Sequence, residues 1–363
     1  MTLNIRKRTT EDYLKKISSS PFGTRTNKIH AIKSFTEFLA EKQDMTPEKL
    51  CEELLQIKKQ SGEDDFVNSL YDVLQDWVNW NVKNEIGAYT IQTRFSNLRD
   101  YLYHLGIRIN LQDVKQLLKF PKKSKEERYA LKKSELRDLV MAQSRYPKRQ
   151  ALYLACSSSG MRISEALAVR KSDLDFSCER VMVRIRAETT KTRQARTTFL
   201  SKECEEKIKT YLGKLNNDDL VFSDSRCQRP NILEQNALRR ALDRLHLYQK
   251  YSTNGFSKIS THSFRSYFFT AAARKHGENY AHKLTGHGGY LMQYDRMTDE
   301  EKLKMYIELE PELVVFDQTK NELKIKELEK KVKQSKESEN QAEGSLELQK
   351  QILQILRDKG IIN

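Results

Sequence analysis

Long apolar runs are missing from this sequence. No stretch approaches the ~20 residues that a bilayer-spanning helix needs, so no membrane partner is expected. The start, MTLNIRKRTTEDYLKK, carries charge but no apolar stretch, and no secretory signal is expected there. Cysteine is sparse. Cys51, Cys156, Cys178, Cys204 and Cys227 are odd in number, and no two share a C-x-x-C spacing. That pattern argues against a disulfide framework and a thiolate zinc site, and it points to a reducing, cytoplasmic compartment. The phosphate-cradling GxxxxGK[ST] run, the zinc motif HExxH, EF-hand loops and nucleophile elbows are all absent. His282 and His287 have no third ligand in register, so neither a metal nor another cofactor is expected.

What is present is charge. Of 363 residues, 32% are charged, with 65 Lys/Arg against 50 Asp/Glu and a formal net charge of +15. A protein this basic is suited to a polyanion, and double-stranded DNA is the expected partner. The bland alternative is a lysine-rich surface kept for solubility. From Thr319 to the end there are ten Lys/Arg and eight Asp/Glu, so nearly all the surplus lies in residues 1–318, where DNA is expected to sit. Hydrophobic content of 38% supports real cores, and the length suits two domains or three.

Periodicity divides the chain. Residues 1–117 read as a helical, DNA-clamping domain. Apolar stripes recur at Ile29, Ile32, Phe35 and Phe38/Leu39, and again at Phe66, Leu70, Val73, Leu74 and Trp77. A third helix, YTIQTRFSNLRDYLYHLG, has Ile91, Phe95, Leu98 and Leu102 on one side and ends at Gly106, a suitable left-handed cap. Its polar side carries Arg94, Asn97 and Arg99, either a solvated face or one that reads the major groove. Residues 118–128 form a basic linker in which Lys122 and Lys123 are candidates for phosphate contact. Residues 129–316 mix helices with one β-hairpin, whose arms are Val181–Arg186 and Ala195–Leu200 and whose tip spans Glu188–Gln194. Residues 317–363 form a helical tail with stripes too short for a sustained coiled coil. The expected class is mainly α with a small antiparallel β-sheet.

Six residues stand beside structural punctuation. They are Arg162 in GMRISE, Lys191 at the hairpin tip, His262 and Arg265 in HSFR, His287 in LTGH, and Tyr294 in QYDRM. Each alone has a plain structural reading. Arg162 can pair with Glu165 one turn on, and His262 fits the first turn of a capped helix. Their order changes the odds, and from about Tyr129 to Glu310 the chain resembles the tyrosine recombinase (phage integrase) family. GMRISE matches that family's G-x-R-x-x-E box, Lys191 its hairpin lysine, HSFR its H-x-x-R box and LTGH its L-x-G-H box. The gap from His287 to Tyr294 is shorter than in most members and resembles archaeal ones. Tyr290 and Tyr306 are the competing nucleophiles; the first is close to the histidine, the second far along an acidic-basic helix.

The resemblance implies a helical core-binding domain and an α+β catalytic domain. It also implies breakage and rejoining of DNA through a 3′-phosphotyrosine link, without metal or ATP. Arg162, Lys191, His262, Arg265, His287 and Tyr294 would be its catalytic residues. Homotetramers on paired sites, a C-terminal stretch from Pro311 to Lys330 donated to a neighbour, a nucleoid-associated location and possible accessory DNA-bending factors belong to the same expectation. Two other readings remain: a type IB topoisomerase-like nicking and resealing enzyme, and a DNA-binding regulator without catalysis.

Overall fold

Capping and apolar spacing account for the first six helices: α1 (Thr10–Ile17), α2 (Phe22–Gln43), α3 (Pro47–Gln60), α4 (Glu63–Lys83), α5 (Ala88–His104) and α6 (Leu111–Leu117). Thr9 and Asp12 form a reciprocal cap on α1, and Thr46 with Pro47 starts α3. Phe35, Phe38, Leu39, Leu74, Trp77, Ile91 and Leu98 share one buried cluster. Ile29, expected on the buried stripe, is instead 40% exposed, because the stripe on α2 begins one turn later. The coordinates come from a computed structural model, which describes residues 8–224, 226–286 and 296–317, with Thr319, Asn321 and Leu323. Residues up to Glu127, joined by Ser252–Gly255, form one compact unit; the rest of the chain from Arg128 forms a second.

The second unit is built from α7 (Lys133–Met141), α8 (Pro147–Ser159), α9 (Ile163–Leu167), α10 (Lys202–Leu212), α11 (Pro230–Arg244), α12 (Thr261–His276), α13 (Glu278–Thr285) and α14 (Asp299–Leu313). A three-stranded antiparallel sheet runs in the order β1 (Leu174–Asp175), β2 (Met182–Ile185), β3 (Arg196–Phe199). The expected hairpin is β2–β3, with Met182 opposite Phe199 and Ile185 opposite Arg196. Strand β1 was not anticipated; two residues are too few to show a period. The chain class is therefore mainly α with a small sheet, as the sequence implies. The run QALYLACSSSGMRISEALAV is two helices, because Gly160 takes a left-handed conformation, φ +66°, and ends α8.

The end of α14 runs into a segment held by its own unit. Leu313, Val314 and Val315 are all at most 2% exposed. The Glu203 carboxylate accepts the backbone N–H groups of Val315 and Phe316 at 2.9 and 2.7 Å, and Arg137 Nε donates to the Val315 carbonyl at 2.7 Å. Burial pushes the Glu203 carboxyl up to about 7. The stretch expected to pass to a neighbour from Pro311 onward is thus seated in this chain as far as Phe316, since its apolar side chains complete the core. Ending the chain at residue 312 removes three buried aliphatic side chains at ~1.5–3 kcal/mol each. Thermal melting of that truncation is expected ~10 °C or more below the full chain, while ending at Lys330 leaves the transition in place. Equal melting of the two would mean the segment carries no stability.

Candidate active site

The left-handed turn at Gly160 brings three helices together. A Cβ on Gly160 would lie 2.4 Å from Phe268 of α12 and 2.7 Å from Thr285 of α13. Only glycine allows this approach. The freed Gly160 carbonyl accepts a hydrogen bond from Arg265 Nη1 at 2.6 Å. Arg265 is 1% exposed. Burial, and then the charge of Arg162, push its guanidinium down to about 10, which still leaves it protonated at neutral pH.

Arg162 begins α9. Its backbone N–H donates to Glu165 Oε2 at 2.8 Å, and its Nη1 donates to Oε1 at 2.7 Å. Arg265 Nη1 lies 3.9 Å from the same carboxylate. Burial works to raise the Glu165 carboxyl; bonds and charge from Arg196, and bonds from Arg162, outweigh it and hold it below the usual carboxylate range. The pairing of Arg162 with Glu165 is therefore real. It belongs to a buried cluster, not to a solvated surface.

His262 lies in the first turn of α12, three residues before Arg265, so the two share one side of the helix. Desolvation, followed by the charges of Arg265, Arg162 and Arg128, holds its imidazole below the ordinary range, so it is neutral at pH 7. It edges an open groove of roughly 1000 Å³ whose lining includes Arg128, Lys258, Arg274 and Lys275, against a single acid, Glu312. Lys191 stands exposed at the hairpin tip, which is closed by Thr190 Oγ1 accepting from the Gln194 N–H at 3.1 Å. The structure gathers Arg162, Arg265 and His262; it shows no contact from Lys191 to them.

His287, Tyr290 and Tyr294 lie outside the described residues, between Gly286 and the N-cap of α14 at Thr298. Tyr306 is fully buried in α14 and donates its hydroxyl to the Ser158 carbonyl at 2.9 Å, a packing role. Sequence reasoning missed Arg196. It sits on a strand arm, where only the alternation was read, and it donates to Glu165 Oε2 at 2.6 Å and to the Leu284 carbonyl at 2.8 Å.

The DNA-contact candidates divide. Arg94 turns inward and donates to Asn81 Oδ1 at 2.9 Å and Ser34 Oγ at 3.3 Å, so it does not lie on a free polar face. The cause is the buried acceptor that α4 supplies at Asn81, which no pattern in α5 reveals. Asn97 donates to the Thr93 carbonyl of its own helix, and Arg99 is half-buried. Lys122 and Lys123 are exposed in irregular chain, with Lys123 4.7 Å from the ring centre of Tyr89.

Among the described residues no helix is long and apolar enough to cross a membrane. No curated protein sequence matches the chain. Among solved structures, a fragment of lambda integrase crystallised as a dimer on a COC′ core site is similar at TM-score 0.54 and 15% identity, over 80% of this chain and 97% of that one. A second lambda integrase structure, bound to DNA, gives TM-score 0.51 and 14% identity over 80% and 93%. XerH recombinase bound to difH substrate gives 0.48 and 15% over 82% and 80%. Residues 108–301, more than half of the chain, match the Phage integrase family. The likeness to lambda integrase is one of fold; by the family match the chain belongs to the phage integrase family, the tyrosine recombinases.

Proposed function

We propose that this protein is a site-specific DNA recombinase that cuts and rejoins strands through a 3′-phosphotyrosine intermediate. The observation that carries the reading is the convergence of Arg162 and Arg265 on one buried carboxylate beside His262. The Tyr294 oxygen attacks a DNA phosphorus, a P–O(Tyr) bond forms, and the P–O5′ bond breaks. Lys191 delivers the proton that the 5′-oxygen needs, as general acid. His262, neutral at working pH, is the group suited to take the phenol proton. Attack by a 5′-hydroxyl of the partner strand reverses these transfers and reseals the backbone. Because the covalent link keeps the bond's free energy, no ATP enters.

Negative charge gathers on the non-bridging oxygens in the transition state, and two guanidinium forks with the His287 imidazole are suited to receive it. The cationic groove beside His262 fits the duplex backbone. Two pairs of protomers on paired sites, an accessory DNA-bending factor and a cytoplasmic, nucleoid-associated location complete the proposal.

A nicked suicide substrate carrying the target is expected to leave the protein covalently attached to the 3′ end at the cut, seen as a shifted band on a denaturing gel. EDTA at millimolar concentration is expected to leave its yield unchanged. A requirement for a divalent ion, or cut ends free of protein, would overturn the reading. Relaxation of plasmids lacking any target would favour a topoisomerase-like activity instead.

A further inference from the structure

One guanidinium joins the Glu165 carboxylate to the end of α13. Arg196 opens β3 and its side chain is 9% exposed. Its Nη2 and Nη1 donate to Glu165 at 2.6 and 3.3 Å, and its Nε donates to the Leu284 carbonyl at 2.8 Å. Leu284 lies in the last turn of α13, where carbonyls have no partner within the helix and where a cation meets the negative end of the helix dipole. The next turn is shaped to the same side chain. Gly286 has φ +69°, and a Cβ there would lie 3.0–3.2 Å from Cδ, Cζ and Nη1 of Arg196.

These contacts converge on two places that matter for the chemistry. Glu165 is the carboxylate that holds Arg162 by both its backbone and its guanidinium. Gly286 is the residue from which the chain continues to His287. Simple stability gives a poor account of the arrangement, since buried ion pairs are often replaced by apolar residues without loss. Fixing two elements at one separation needs a planar fork with donors on two edges, which arginine has and lysine lacks.

We propose that Arg196 is a positioning residue for DNA cleavage. It ties Arg162, through Glu165, to the last turn of α13 at Leu284 and Gly286, so that the Arg162 guanidinium keeps one place while the strand is cut. The inference rests on the recombinase reading above. Arg196 touches no DNA, and its action does not pass through Lys191, although both belong to the same hairpin.

The test compares Arg196→Lys and Arg196→Gln with Lys191→Ala in single-turnover cleavage of a suicide substrate. DNA affinity and melting temperature are measured alongside, and every assay is repeated with a 5′-bridging phosphorothiolate at the scissile position. A sulfur leaving group needs no proton, so it restores a missing general acid but not a misplaced phosphate clamp. Arg196→Lys, which keeps a charge for Glu165, is expected to cleave about 30- to 100-fold more slowly, as for a catalytic group set ~1 Å out of place. Its DNA affinity is expected within about threefold of the parent, since neither phosphate ligand is removed. The phosphorothiolate should speed Lys191→Ala and leave both Arg196 variants slow. Arg196→Lys at parental speed, rescue of it by the sulfur substrate, or a parallel fall of affinity and melting would each overturn the inference. If the parent protein forms no adduct at all, the recombinase reading fails first.

Discussion

Replacing Tyr294 by phenylalanine is expected to erase the covalent protein–DNA adduct while leaving DNA binding intact. The substitution removes one oxygen, and that oxygen is the proposed nucleophile; no other group supplies a phosphorus-bound intermediate in the mechanism. The structure narrows the contest. Tyr306 is sealed in the core with its hydroxyl on the Ser158 carbonyl, so Tyr306→Phe is expected to cost ~1 kcal/mol of stability for the lost hydrogen bond and to keep the adduct. Tyr290→Phe is expected to keep it too. An adduct that persists in Tyr294→Phe and disappears in Tyr290→Phe would move the nucleophile four residues toward His287. Gel-shift titration on the same substrate separates loss of chemistry from loss of binding.

The second large effect is expected at Arg265. Arg265→Gln should slow single-turnover cleavage by about 10²- to 10³-fold, the cost of one missing oxyanion donor in a site of this kind. A glutamine is shorter and neutral. It loses the bond from Nη1 to the Gly160 carbonyl and brings no charge to the phosphate. Arg162→Gln should fall into the same range, and the double variant should fall well short of the product of the two, because both act on one transition state. Measured rates at saturating DNA decide it. A loss confined to affinity, with the bound rate unchanged, would make these arginines anchors for DNA and nothing more.

Much of this was readable from sequence, for definite reasons. The helices of the first unit show because their stripes are long, and the β2–β3 hairpin shows because β-branched arms flank a polar tip. Arg162, Lys191, His262 and Arg265 come from ordered boxes, and the structure brings three of the four together. What stayed hidden depends on distant partners. Gly160 sits inside a run with helical patterning, and its need for the space of Phe268 and Thr285 appears only once α12 and α13 fold back on α8. Arg196 looked like one more basic residue in TTKTRQART, and its two acceptors lie 31 residues before it and 88 after it. Arg94 reads as part of an outward side, solvated or groove-facing, because its acceptor Asn81 sits on another helix. Val314 and Val315 fall within the 129–316 span, but their seat beside Glu203 and Arg137 depends on partners more than a hundred residues away, and the helix runs past Pro311.

The close seat of Gly160 also bears on attempts to change which DNA the protein cuts. Diversified libraries that randomise the GMRISE loop would lose nearly every clone at its first position, since even alanine collides with two helices. Smaller side chains at Phe268 or Thr285 would open the space only by leaving a void where α12 and α13 pack against this turn. Substitutions are better tolerated away from this joint, at exposed positions such as Lys122.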